Sequence, residues 1–224
     1  MTRGTPPRPA WVPVDREPVH EELFGNDLVR VYEARIEPGT TTLDHRHDQD
    51  TVYVVVRGGR FRSDNTWRQH NVTRPGRSSG LLRSVGWLLR RLTVGWLRMP
   101  DGTLLWQPHA AHPVVHRVTA SSSNDGALRM VGIELRRHRP PRRIPETPAL
   151  RLEYASPRST SYRIAALPGT TVHVPGESVL TVVHGQATLQ GGSRHEPGAT
   201  VWVAEDGPLT SQPAEPLLAI LTVV

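Results

Sequence analysis

Two histidine-rich segments contain the residues of this chain that are best suited to chemistry. In the first, His45 and His47 are separated by a single residue. Successive side chains of a strand point to opposite faces, so both imidazoles face the same side if this segment is extended. The second segment carries His109, His112 and His116. Imidazoles from both segments that converge on one point would bind a divalent transition metal ion, and nitrogen ligands alone do not select one metal.

An internal repeat places these segments within a larger pattern. A Pro-Gly turn followed by a run of β-branched residues occurs twice, as Pro38-Gly39 before 52–56 and as Pro168-Gly169 before 179–183. A Gly-x-x-x-Trp segment and a closing apolar run follow in both copies. Short β-branched runs divided by turns are typical of all-β proteins, and the repeat predicts two tandem barrels.

The repeat divides the chain into four parts. We expect an N-terminal arm over 1–20, a metal-binding barrel over 21–137, a basic proline-rich linker over 138–149 and a second barrel over 150–224. An insertion at 68–98 interrupts the first barrel and has no counterpart in the second copy.

The insertion at 68–98 reads as a basic amphipathic helix. One face of a helical wheel carries Leu81, Leu82, Val85, Leu88, Leu89, Leu92 and Trp96. Away from that face lie Arg83, Arg90, Arg91 and Arg98. Such a helix could bind a membrane surface or an acidic partner. We favour the alternative in which its apolar face packs on the barrel or on a second subunit, as a lid or a dimer element.

Composition excludes several classes of protein. The chain has no cysteine, which excludes disulfides, thiolate metal sites and cysteine nucleophiles. No apolar run is long enough to span a bilayer, and the N-terminus has no signal-peptide core. All 27 basic residues are arginine, which a GC-rich genome explains as well as a nucleic-acid partner does. We expect a cytoplasmic homodimer that binds neither nucleic acid nor membrane.

The first histidine segment resembles the first motif of the cupin superfamily. That motif runs from a glycine through His-x-His to a glutamate and a second glycine, and here it reads Gly39, His45, His47, Thr51 and Gly58. The resemblance implies small conical barrels of antiparallel strands, a bicupin, with a metal ion inside the mouth of the first. The second cupin motif contributes a further histidine, which implies His112 as the third ligand. Iron(II) is the favoured ion, and zinc, nickel, manganese, cobalt and copper stay open.

The chain departs from the family pattern at several positions. Thr51 stands where cupins commonly place a glutamate ligand, and His116 stands where the second motif has asparagine. Thr51 and His116 are therefore further candidate ligands, with His116 also a candidate acid or base. Gln107 and His109 replace the proline and glycine of that motif, and His109 is interpreted as a turn residue. The second repeat retains only His173 near the first-motif position, which predicts a metal-free barrel.

Three protein ligands would leave coordination positions on the ion for a substrate. Together with the resemblance, this predicts a metal-dependent enzyme that acts on a small anionic or enolisable molecule. Three-histidine cupins include dioxygenases, so we expect an oxygenase. The alternatives are a redox-neutral isomerase, cyclase or lyase, a non-catalytic metal- or ligand-binding protein, and an interaction module. Strand alternation makes Tyr53 and Arg57 candidate pocket residues beside His116. His20 shows no pattern and is assigned to the surface.

Overall fold

The structure, a computed structural model, describes residues 11–65, 95–137 and 140–224, whose regular elements are almost all β-strands. The first barrel contains β1 (Val12–Pro13), β2 (His20–Gly25), β3 (Val29–Ile36), β4 (His45–His47), β5 (Thr51–Arg57), β6 (Gly59–Asn65), β7 (Leu97–Met99), β8 (Leu104–Gln107), β9 (Val114–Ala120) and β10 (Leu128–Leu135). A short 3-10 helix, Val14–Arg16, follows β1.

The second barrel contains β11 (Leu150–Ala155), β12 (Thr160–Ala166), β13 (Thr171–Val174), β14 (Ser178–His184), β15 (Ala187–Leu189), β16 (Arg194–His195), β17 (Thr200–Val203), β18 (Gly207–Ser211) and β19 (Leu217–Val223).

Both barrels are built from two facing sheets with the same strand order. In the first barrel the orders are β2-β3-β10-β5-β8 and β1-β4-β9-β6-β7, and in the second they are β11-β12-β19-β14-β17 and β13-β18-β15-β16. Only β1 lacks a counterpart among the described strands. The repeated Pro-Gly turns are alike as well, because Gly39 has φ 79° and Gly169 has φ 75°. A positive φ favours glycine, which explains why each repeat has one at this turn.

The two barrels pack against each other through valine-rich sheet faces. Along β5, Val52, Val54 and Val56 point towards the second barrel, whereas Tyr53 and Val55 point into the first. The shared core also includes Ile133, Val131 and Leu135 of β10 and, from the second barrel, Val179, Val183, Ile220 and Val224. A strand whose two faces are both buried reads as a continuous apolar run, as β5 does.

The interior of the second barrel is filled with apolar side chains. Val172 of β13 pairs with Leu209 of β18, and Val174 pairs with Gly207. The side chains of Val172, Val174 and Leu209 belong to one buried core. His173 lies between the two valines and is exposed. At the strand positions that carry histidines in the first barrel, the second barrel therefore places aliphatic side chains.

The expected all-β class with two tandem barrels is confirmed. The predicted helical insertion falls largely on residues outside the described ranges, although Leu97 and Arg98 at its end belong to β7. In the linker, Arg142 forms two hydrogen bonds with Asp206 of the second barrel. Within the described residues, no helix has the length and apolar character needed to cross a membrane.

Replacing Ile133 by alanine should lower the free energy of unfolding by about 2–5 kcal/mol. Ile133 is fully buried between the barrels, so the substitution leaves a cavity in the shared core. Urea denaturation followed by circular dichroism measures the change. The matched control is Leu167→Ala, because Leu167 is 73 % exposed and its loss should alter stability by less than about 0.5 kcal/mol. Equal effects of the two substitutions would show that the interface does not contribute to stability.

Candidate metal centre

The pairing of β4 with β9 brings three histidines together inside the first barrel. His45 lies directly opposite His116 in the antiparallel register, and His47 lies one pleat further along β4. Their ligand atoms lie within 4.8 Å of one another, and the Nε2 atoms of His47 and His116 are 3.1 Å apart. His45 and His47 are each only 1 % exposed. The alternation expected from the sequence thus places both imidazoles of β4 on the inner face.

Each of these three imidazoles has its Nδ1 atom in a hydrogen bond directed away from the point of convergence. Nδ1 of His45 donates to the Leu43 carbonyl at 2.8 Å. Nδ1 of His47 contacts the Tyr53 hydroxyl at 3.2 Å, and Nδ1 of His116 contacts the Ser63 hydroxyl at 3.2 Å. A hydrogen bond at one ring nitrogen orients the ring and sets which nitrogen keeps its lone pair. In His45 the Nδ1 atom carries the proton, which leaves the Nε2 lone pair available to a shared ligand.

Two further histidines surround this group. His109 stacks on His47, with ring centroids 5.1 Å apart and planes 25° apart, and its Nε2 atom contacts the Tyr53 hydroxyl at 3.2 Å. Tyr53 therefore bridges the two histidines. His20 meets the edge of the His45 ring with centroids 4.8 Å apart, and its Nδ1 atom lies 3.2 Å from the Val14 carbonyl.

The N-terminal segment contacts the residue that orients the His45 ring, Leu43. Glu17 is 2 % exposed, and its carboxylate accepts hydrogen bonds from the amides of Val19 and Leu43. The carbonyl of the same Leu43 holds the His45 ring. Residues 11–20, expected to be an arm, are thus part of the barrel around the site.

Burial keeps these histidines neutral. It lowers the pKa of His109 to about 4, and burial together with the neighbouring His45 lowers the pKa of His20 to about 3. The pKa values of His47 and His116 are held well below the usual range by burial and then by the other imidazoles, and burial also lowers the pKa of His45. The neutral imidazole is the form that binds a metal ion.

The histidines form one end of a cavity of about 330 Å³. The rest of the wall is largely apolar and includes Ile36, Phe61, Met99, Leu105, Leu128 and Met130. No aspartate or glutamate is found among the described residues that line it. An apolar chamber with a few converging polar groups is the usual form of a small-molecule site.

Solved structures with the same architecture identify the fold. The structure of bacterial pirin YhhW from Escherichia coli in complex with nickel(II) aligns with a TM-score of 0.58 and 15 % identity, over 92 % of this chain and 90 % of that one. The Bacillus subtilis oxalate decarboxylase, in a structure concerned with its Mn(II) centres, aligns with a TM-score of 0.50 and 13 % identity, over 88 % and 69 % of the two chains. The chain has the bicupin fold. No protein-family model and no curated protein sequence matches it.

The donor set of this bicupin fits a transition metal ion. Two imidazole nitrogens bound to the same zinc-like ion at about 2.0–2.1 Å lie roughly 3.0–3.4 Å apart, and the His47 to His116 distance of 3.1 Å falls in this range. If both rings donate through Nδ1, two lone pairs face each other at that distance, and a cation between them removes the repulsion. His45 offers its Nε2 atom to the same point because its Nδ1 proton is used by a carbonyl.

The bicupin places the other sequence-derived candidates at different positions. His112 lies on an exposed turn, where its amide donates to the Pro108 carbonyl, and the structure does not bring it into the group of three. Thr51 is fully buried and donates its hydroxyl to the Gln49 carbonyl, without lining the cavity. Arg57 is exposed at the far end of β5, where it pairs with Asp125. Tyr53 lines the cavity.

Sequence reasoning missed two histidines of the bicupin cavity. His20 was assigned to the surface or a loop, but it begins β2, lines the cavity and contacts the His45 ring of the other sheet. His109 does lie in a turn, as expected, yet the turn folds inwards and leaves the side chain only 4 % exposed. The signal that could have found His109 was its even spacing from Gln107, which ends β8 and also lines the cavity.

The stability of the chelator-treated protein should fall as the pH drops below about 6.5, the pKa of histidine in an unfolded chain. The buried histidines stay neutral in the folded state, so the unfolded state binds more protons and is favoured by acid. Each such histidine contributes a slope of about 1.4 kcal/mol per pH unit until its folded pKa is reached. For His109 that pKa is about 4.

Urea unfolding at pH 7.5, 6.0 and 5.0 measures this slope. His109→Gln is the matched variant, and its slope should be shallower by one proton. An unchanged slope in that variant would show that His109 is protonated in the folded protein.

Proposed function

We propose that the first barrel binds one divalent transition metal ion through His45, His47 and His116. The observation that carries this proposal is the convergence of three imidazoles whose Nδ1 atoms are already hydrogen bonded. Three protein ligands leave positions on the ion for substrate, water or dioxygen, which distinguishes a catalytic site from a closed structural one. His116 takes the third position in this proposal in place of His112.

Iron(II) is the ion that we propose for this site. Imidazole ligation also accommodates zinc, nickel, copper and cobalt, so the choice depends on the reaction rather than on the ligands. YhhW was determined with nickel(II), and the oxalate decarboxylase has Mn(II) centres. Manganese and nickel are therefore included among the ions to be tested.

The reaction that we propose is an iron(II)-dependent dioxygenation of a small anionic or enolisable substrate. Three neutral imidazoles leave the double positive charge of the ion uncompensated, which favours an anionic ligand atom. The described cavity wall has no carboxylate that would repel such a ligand. When bound, the ion would supply Lewis acidity and the electrons for dioxygen chemistry.

The residues of the chain would bind the body of the substrate and keep water out. Phe61, Leu128 and Met130 give the cavity an apolar wall, which suits an apolar substrate body and strengthens electrostatic interactions at the charged end. The Tyr53 hydroxyl contacts His47 and His109, and it would keep the His47 ring oriented towards the metal ion. Arg57 lies outside the cavity and has no role in this proposal. The homodimer and the cytoplasmic location stay predictions from the sequence.

Alanine at His47 or His116 should abolish metal binding, because two remaining imidazoles hold an ion much more weakly than three. His112→Ala is the matched control and should bind the ion as the wild type does. Inductively coupled plasma mass spectrometry of the purified proteins gives the metal content, and circular dichroism checks that each variant is folded. Metal retained by His116→Ala but lost by His112→Ala would reverse the assignment of the third ligand.

The iron-loaded protein should consume dioxygen in proportion to substrate when it is supplied with small carboxylates, enols and 1,3-dicarbonyl compounds. An oxygen electrode measures the uptake, and chromatography measures the product. The zinc-loaded protein is the control and should form no product. Product that forms without dioxygen, or equally well with zinc, would replace the oxygenase with a redox-neutral isomerase, cyclase or lyase.

A further inference from the structure

A buried carboxylate connects the metal-site turn to the second barrel. Asp50 lies between β4 and β5, three residues after His47, and is 7 % exposed. Its Oδ1 atom accepts a hydrogen bond from the amide of Ala110 at 2.9 Å, and its Oδ2 atom accepts one from Arg158 at 3.1 Å. Its backbone carbonyl accepts from the Leu135 amide at 2.8 Å. Asp50 is therefore fixed at three points and does not face the metal site.

Arg158 reaches this carboxylate from the second barrel. It lies between β11 and β12 and is 6 % exposed. Besides Asp50, its guanidinium donates to the carbonyls of Leu135 at 2.7 Å and Arg137 at 3.1 Å, both on the first barrel. The Ser156 hydroxyl accepts from the amide of Arg158 and fixes its backbone. One side chain of the second barrel thus binds three acceptors of the first.

The residue that Asp50 holds is next to a histidine of the site. Ala110 follows His109, in a turn where the His112 amide donates to the Pro108 carbonyl. His109 stacks on His47 and shares the Tyr53 hydroxyl with it. A continuous set of contacts therefore runs from Arg158 through Asp50 and the His109 turn to a proposed metal ligand.

We propose that Arg158 is a positioning residue for the metal centre, through which the second barrel holds the His109 turn against His47. Without Arg158, the Asp50 carboxylate would be a buried charge with no cationic partner, a costly state that is relieved when the group turns towards water. That movement would release the Ala110 amide and loosen the His109 ring on His47. The effect on the ion rests on the proposed function, whereas the effect on the turn does not.

The test compares Arg158→Met with Arg163→Met. Both arginines cross between the barrels, but Arg163 donates to the Gly102 carbonyl and does not touch the His109 turn. Hydrogen exchange of the Ala110 amide in the chelator-treated protein is the first measurement, read by mass spectrometry of a peptide over 107–113. We expect exchange about tenfold faster or more in Arg158→Met and no change in Arg163→Met.

The second measurement is the affinity for cobalt(II), with its visible absorption spectrum. Loss of a contact that orients a ligand typically weakens metal binding by about 10–100-fold, and we expect a loss in this range for Arg158→Met. Arg158→Lys keeps the charge and should recover part of the affinity. If wild-type protein binds no cobalt(II), nickel(II), manganese(II) or iron(II), the proposed function fails, and the exchange of Ala110 still decides whether Arg158 holds the turn.

Asp50→Asn provides a second route if Arg158→Met does not fold. The amide has a single oxygen, which can serve either Ala110 or Arg158, so exchange at Ala110 should again accelerate. Normal exchange at Ala110 in every folded variant of Asp50 and Arg158 would overturn the proposal. Weaker cobalt(II) binding without faster exchange would also overturn it, because the effect would then bypass the turn.

Discussion

The antiparallel pairing of β4 with β9 is the constraint on which the group of three histidines depends. This register sets His45 opposite His116, and the pleat of β4 then places His47 on the same inner face. A shift of one residue in either strand would turn the histidines away from the cavity. The hydrogen bonds of Glu17 and Thr42 to backbone amides beside these strands help to keep the register.

The two barrels show how the same strand order can support different interiors. In the first, each inward histidine has a polar partner behind it, such as the Leu43 carbonyl or the Ser63 hydroxyl. In the second, Val172 and Leu209 fill the corresponding space and need no such partners. The valine-rich outer face of the second barrel packs on β5 and β10 of the first.

The sequence predicted the fold more completely than the site. The repeat and the β-branched runs specify local strands and turns, which is why the two barrels could be predicted. The third histidine was harder to place, since the turn between β8 and β9 sets which residue faces β4. His112 and His116 have the same parity, so spacing alone does not separate them. His20 could not be found because its burial depends on contact with His45, which lies in the other sheet of the barrel.

The extra strand β1 has a consequence for where the first barrel begins. The sequence repeat suggested that the barrel starts near residue 21, and a shortened protein designed on that boundary would lack Val12, Glu17 and His20. Val12 pairs with His45, and the Glu17 carboxylate holds the Leu43 amide beside it. Such a shortened protein would keep every residue of the cupin motif but would lose the contacts of Val12 and His20 with His45. The first barrel therefore begins before its recognisable motif, with a strand that starts at Val12.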